Sequence, residues 1–140
     1  ADETFAQADA GHVWGEADVV VLITPLTEET AGMVDAEILG RMKGSAYLIN
    51  VGRGGLVVTD DLVDALRKRR IRGAGLEVVD PEPLPDEHPL WHLDNVVMTP
   101  HVAAMGSISQ AMIAPAIIEN AAAVERGERM PTEVDVEAGY

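Results

Sequence analysis

Four short apolar runs, set apart by stretches of helical character, constrain this chain more than any other feature. Residues 17–24, 46–51, 71–79 and 95–99 are rich in Val, Ile and Leu and are bounded by Gly, Pro or polar turns. Continuous apolar runs of this length suit strands buried on both faces, as in a parallel sheet covered by helices. A helix is predicted within residues 30–42, with Met33, Ile38, Leu39 and Met42 on one side. Thr27-Glu28-Glu29-Thr30 reads as its acidic start and Lys43-Gly44 as its end. A second is predicted over residues 60–70, capped by Thr59-Asp60-Asp61, with Leu62, Val63 and Leu66 inward and a basic C-terminus that complements the helix dipole. The longest, residues 107–126, carries Pro115 as a kink and stops at Gly127. Residues 1–17 read as loop plus a short helix, with His12 and Trp14 as surface or interface residues. Residues 128–140 read as a polar tail. Strands alternating with helices argue an α/β fold with a doubly wound, mainly parallel sheet.

Composition narrows the function classes. At 140 residues the chain reads as one domain, and 47% apolar residues are too many for a disordered chain. With aromatics at 4%, the core must be aliphatic. No cysteine is present, which excludes disulfides, thiolate metal sites and a thiol nucleophile and fits a reducing, cytoplasmic location. The formal net charge of −14 argues against nucleic acid and anionic membrane as partners. Lys43 and Lys68 are the only lysines, a balance that also fits a high-salt habitat, where screening relieves self-repulsion. The longest apolar runs fall short of a membrane span, and the N-terminus has neither the basic nor the apolar part of a signal peptide.

Residues 77–101 carry the chemistry. Prolines 81, 83, 85 and 89 stiffen a loop that presents Glu82, and a short strand then leads to His101. A carboxylate and an imidazole so placed suit a site in which an acid orients a histidine. Arg53 follows an earlier strand within Gly52-Arg53-Gly54-Gly55. Ligands of open parallel sheets bind beyond the carboxyl ends of the strands, and Arg53, Glu77 and His101 lie at or just past such ends. Each residue also has a plainer reading: a turn decoration, a solvated loop charge, a structural cap. His88 and His92 fit surface roles, and no carboxylate–histidine pair has helical or hairpin ligand spacing, so no metal site is expected.

The motifs Thr-Pro-Leu-Thr at 24–27, Asn-Val-Gly-Arg-Gly at 50–54, Asp-Pro-Glu-Pro-Leu-Pro at 80–85, Pro-Leu-Trp at 89–91 and Thr-Pro-His at 99–101 resemble the D-isomer-specific 2-hydroxyacid dehydrogenases. Gly127-Glu128-Arg129 and the C-terminal ending look closest to the glyoxylate/hydroxypyruvate reductase A branch. The resemblance implies a Rossmann-like nucleotide domain and NAD or NADP as cofactor, with NADPH favoured by the branch. It further implies a small 2-oxo acid substrate and a homodimer. It assigns the substrate's carboxylate to Arg53, whose planar fork suits bidentate pairing. His101 becomes the general acid and Glu82 the carboxylate that orients it. Thr24, Pro25, Asn50, Val51, Gly52, Arg53, Glu77 and His101 become cofactor contacts, and Trp91 joins Arg53 and His101 at the substrate.

Two features depart from the family pattern. Glu77 stands where an aspartate that meets the nicotinamide amide is usual, and the chain contains no Gly-x-Gly-x-x-Gly. The expectation is therefore that residues 1–126 are the C-terminal part of an NAD(P)-binding domain. Residues 127–140 would pack on a substrate domain outside this chain, and the pyrophosphate loop would precede residue 1. The competing expectation is a non-catalytic module that keeps the fold and acts through protein contacts.

Overall fold

The computed structural model describes residues 3–5 and 11–136. The chain divides into two compact units, Ala1–Pro100 and His101–Tyr140.

The first unit holds a sheet of four parallel strands in the order β1-β2-β3-β4: β1 Val19–Leu22, β2 Tyr47–Asn50, β3 Gly73–Leu76 and β4 Val96–Met98. All four predicted strands are present, each trimmed at its ends. The register aligns Leu22, Asn50, Leu76 and Met98 in one row across the sheet. A short α1, Val13–Glu16, precedes β1; α2, Ala36–Arg41, and α3, Thr59–Arg67, form the crossovers. Leu39 of α2 and Leu62, Val63 and Leu66 of α3 join Leu22, Leu48, Ala74 and Leu76 in one buried cluster. The sheet is thus Rossmann-like, with its crossover helices on one face.

Alternation decides what lies on the other face. Val19, Val21, Ile23 and Val97 project there and remain exposed, Ile23 at 74% and Val97 at 71%. The expectation of strands buried on both faces therefore holds for only one face of the described residues. A shallow hollow of about 790 Å³ opens on the uncovered side, lined in part by Tyr47, Ile49, Gly75 and Val97.

Three local expectations are corrected by tertiary contacts. The helix sought in residues 30–42 forms only over Ala36–Arg41, because Val34 is fully buried and bridges in parallel to Val57. Its cap is Asp35, which accepts from the Ile38 N–H at 2.9 Å, while Asp61 of α3 accepts from the Ala36 N–H. The acidic Thr27–Thr30 segment is a turn, in which Thr30 Oγ1 donates to the Pro25 carbonyl. Thr59 does not cap α3; its hydroxyl donates to the Asp80 carbonyl at 2.5 Å, tying α3 to the loop after β3.

The second unit holds α4, Ser107–Glu125, with Pro115 inside it as predicted. It closes in a Schellman motif: Gly127 at φ +69 donates to Val124, and Glu128 to Ala123. Asn120 and Thr132 are joined by hydrogen bonds that hold the tail back onto the helix. Met112, Ile113, Ile117 and Ile118 are exposed. Among the described residues no helix is long and apolar enough to cross a membrane.

Candidate functional site

Because the strands are parallel, their carboxyl ends share one edge of the sheet, and the candidates from Thr24 to Glu77 lie along it. The ladder runs one residue past the strands: Val51 donates to Leu22, Glu77 to Asn50 and Thr99 to Leu76, each at 2.9–3.0 Å. Thr24 and Pro25 follow β1, Gly52 and Arg53 follow β2, and Glu77 follows β3. Glu77 and Thr99 fall on the same face of neighbouring strands by simple alternation, and the Thr99 hydroxyl donates to the Glu77 carboxylate. Thr99 was not singled out from the sequence. The signal was there, in the matched offsets of the two residues from their strands.

The Gly-Arg-Gly turn is built for close approach. A Cβ on Gly52 would sit 2.9 Å from the Thr24 carbonyl, and one on Gly54 would overlap the Val79 carbonyl at 2.0 Å. The glycines thus wedge the turn between the chain leaving β1 and the chain leaving β3. Asn50, 1% exposed, spends its side chain on the same turn. Its Oδ1 accepts from the Gly52 N–H at 3.1 Å, and its Nδ2 donates to the Arg53 carbonyl at 2.9 Å. The Asn50 side chain, on a residue expected among the cofactor contacts, thus points into the interior. The Arg53 side chain lies exposed, its Nη1 donating to the Gly52 carbonyl at 2.8 Å. A guanidinium so placed is open to an anionic ligand.

The loop after β3 is anchored by Val78, Leu84 and Leu90, all buried, while Glu82 between them is exposed. The Asp80–Pro81 and Glu82–Pro83 peptide bonds are cis. Trp91 is half exposed and its Nε1 donates to the Pro85 carbonyl at 2.9 Å, which fixes the indole at the loop surface. His88 Nδ1 accepts from the Leu90 N–H and so caps the short 3-10 turn Pro89–His92. His101 is the first residue of the second unit; it is exposed and adopts φ +53, uncommon for a residue with a Cβ. Among the described residues no group of His, Asp and Glu is placed to hold a metal ion.

Comparison with known proteins agrees with the fold. The profile of the D-isomer specific 2-hydroxyacid dehydrogenase NAD binding domain matches residues 1–103. An uncharacterised protein of Corynebacterium melassecola is 59% identical over the whole chain, which covers 46% of that protein. Glyoxylate/hydroxypyruvate reductase A of Klebsiella pneumoniae is 39% identical over 99% of the chain and 44% of its own length. The chain thus spans less than half of the curated relatives it matches. Among solved structures, a D-isomer specific 2-hydroxyacid dehydrogenase of Xanthobacter autotrophicus, in complex with NADPH and MES, superposes with a TM-score of 0.88 at 39% identity, covering 96% of this chain and 55% of that one. An NADPH-dependent glyoxylate/hydroxypyruvate reductase of Sinorhizobium meliloti, in complex with NADP and sulfate, gives 0.88 at 32%, covering 99% and 45%.

Proposed function

The chain belongs to the D-isomer specific 2-hydroxyacid dehydrogenase family, within its NAD-binding domain, and on that premise we propose that it carries the catalytic residues of an NAD(P)-dependent reductase of small 2-oxo acids. The substrates are of the glyoxylate and hydroxypyruvate kind, the products D-2-hydroxy acids, and the working form a cytoplasmic homodimer. The observation that carries this reading is the exposed guanidinium of Arg53, on a turn wedged between neighbouring strand ends at the same sheet edge as Glu77.

The residues present fit the nicotinamide end of such a cofactor. Glu77 offers a carboxylate, an acceptor for amide N–H groups, and Thr24, Pro25, Val51 and Gly52 bring main chain to the same edge. When bound, the reduced nicotinamide supplies a hydride. Arg53 pairs its fork with the substrate's carboxylate and leans on its carbonyl oxygen, which fixes which face of the carbonyl is attacked. His101 donates the proton that the carbonyl oxygen takes up as the carbon is reduced, so the product leaves as a neutral alcohol bearing its carboxylate. Glu82 orients that imidazole, and Trp91 walls the substrate; these roles rest on the motifs. NADPH is the preferred donor, in keeping with the relatives solved with NADPH or NADP.

The test uses the protein as its gene encodes it. Oxidation of NADPH and NADH is followed with glyoxylate and hydroxypyruvate. Turnover is expected in the wild type. His101→Asn should collapse it with cofactor affinity kept, and Arg53→Lys should weaken substrate capture, since a point charge does not reproduce the fork. A wild type inert toward every small 2-oxo acid, or an unaltered His101→Asn rate, refutes the reading. The exposed apolar residues of α4 favour a second reading, a non-catalytic interaction module, which predicts that first outcome together with self-association.

A further inference from the structure

We infer that Asn50 is the positioning residue of the Arg53 turn. Its buried carboxamide sets the main chain from which the guanidinium reaches the ligand, and it is not itself a cofactor contact. The inference rests on the reading of Arg53 as the group that holds the substrate's carboxylate.

Asn50 shares its row of the sheet with Leu22, Leu76 and Met98, so an apolar side chain would extend the core there. A polar amide in that row is costly unless both ends are satisfied. Both are, and both by the turn. The oxygen accepts from Gly52 at 3.1 Å and the nitrogen donates to Arg53 at 2.9 Å. The Arg53 carbonyl also accepts from the Leu56 N–H at 3.2 Å. Clamping the 51–52 and 53–54 peptides brackets the Arg53 Cα, one bond falling a residue before it and one directly after it, and so restricts the root from which its side chain extends. Only an amide offers one acceptor and two donors in this shape. Aspartate keeps the acceptor but ordinarily lacks the donor, and leucine keeps neither. The two glycine contacts hold the turn in place, while the carboxamide sets its twist; the two devices are separable by substitution.

The test measures Asn50→Asp and Asn50→Leu alone and combined with Arg53→Lys, in the protein as its gene encodes it. Each single variant should lower kcat/KM for the oxo acid by about a hundredfold, the scale of a 1 Å misplacement, chiefly through KM. The Kd of the reduced cofactor should change much less than the KM of the oxo acid, because the Asn50 bond to Gly52 also touches main chain at the cofactor edge. In the Arg53→Lys background the same substitutions should cost little more, because the residue acts through that side chain. A purely structural role would lower thermal stability and leave the KM of the folded fraction alone; that result overturns the inference, as does full additivity with Arg53→Lys. If the variants do not fold, exchange in the wild type decides. The Asn50 side-chain amide protons should be protected, and rapid exchange refutes the clamp. Native kinetics in Arg53→Lys itself would instead defeat the functional reading, leaving the exchange result to speak for the turn.

Discussion

The two faces of the one sheet are made of the same residue types and meet opposite fates. On one, Leu22, Leu48, Ala74 and Leu76 are buried under α2 and α3; on the other, Val19, Val21, Ile23 and Val97 face outward. A strand that is apolar on both faces is a strand selected for cover on both. The contrast teaches that hydrophobic patterning reports what a strand needs, whereas the crossover connections decide which face this stretch of chain can serve by itself. Asn50, Arg53, Glu77 and Thr99 lie where the two faces meet, at the carboxyl edge. Asn50 there belongs to the covered face, and Glu77 and Thr99 to the open one.

Substitutions can sharpen or break that contrast. The largest effect belongs to the covered face. Leu48→Ala, at a fully buried site, should cost about 2–5 kcal/mol. Val97→Ala on the open face should stay within about 0.5 kcal/mol. Paired denaturant titrations measure both, and equal costs would show that the open face is covered in solution. At the edge between the faces, Gly54→Ala must push the turn off the Val79 carbonyl and should cost about 1–3 kcal/mol, as overpacking does. A native midpoint would mean that the turn is not wedged there. The open face also predicts association. β1 pairs only with β2, and its other edge is unpaired among the described residues, so the 140-residue chain should self-associate in sedimentation. Val21→Lys with Val97→Lys should relieve it, and a monodisperse wild-type monomer contradicts the prediction. A small gain is expected at the rim of the hollow, where Arg69, two residues past α3, adopts φ +52. Arg69→Gly should remove a left-handed penalty of about 1 kcal/mol and give up only an exposed ion pair with Asp94, so the melting midpoint should rise by a few degrees.

Much of this was legible without coordinates. The strand runs, the inward face of α3, the end of α4 at Gly127 and the clustering of Arg53 and Glu77 at one sheet edge all follow from local pattern. Each depends on residues near one another in sequence or on the general rule that parallel strands point one way. Arg53 could be read as a candidate from its motif, yet the reason for its flanking glycines could not. The atoms they make room for belong to Thr24 and Val79, far along the chain.

By itself, the sequence determined the fold class, the order of the elements and the residues worth testing, because periodicity, turn chemistry and short motifs are local properties. Only the tertiary structure decided that Val34 is extended, that Thr59 serves Asp80 rather than its own helix, that Asn50 turns inward and that one face of the sheet stays open. Each of these choices is settled by a partner distant in sequence. A hydrogen bond or a packed side chain of that kind outweighs the few tenths of a kcal/mol, roughly, that local propensity contributes.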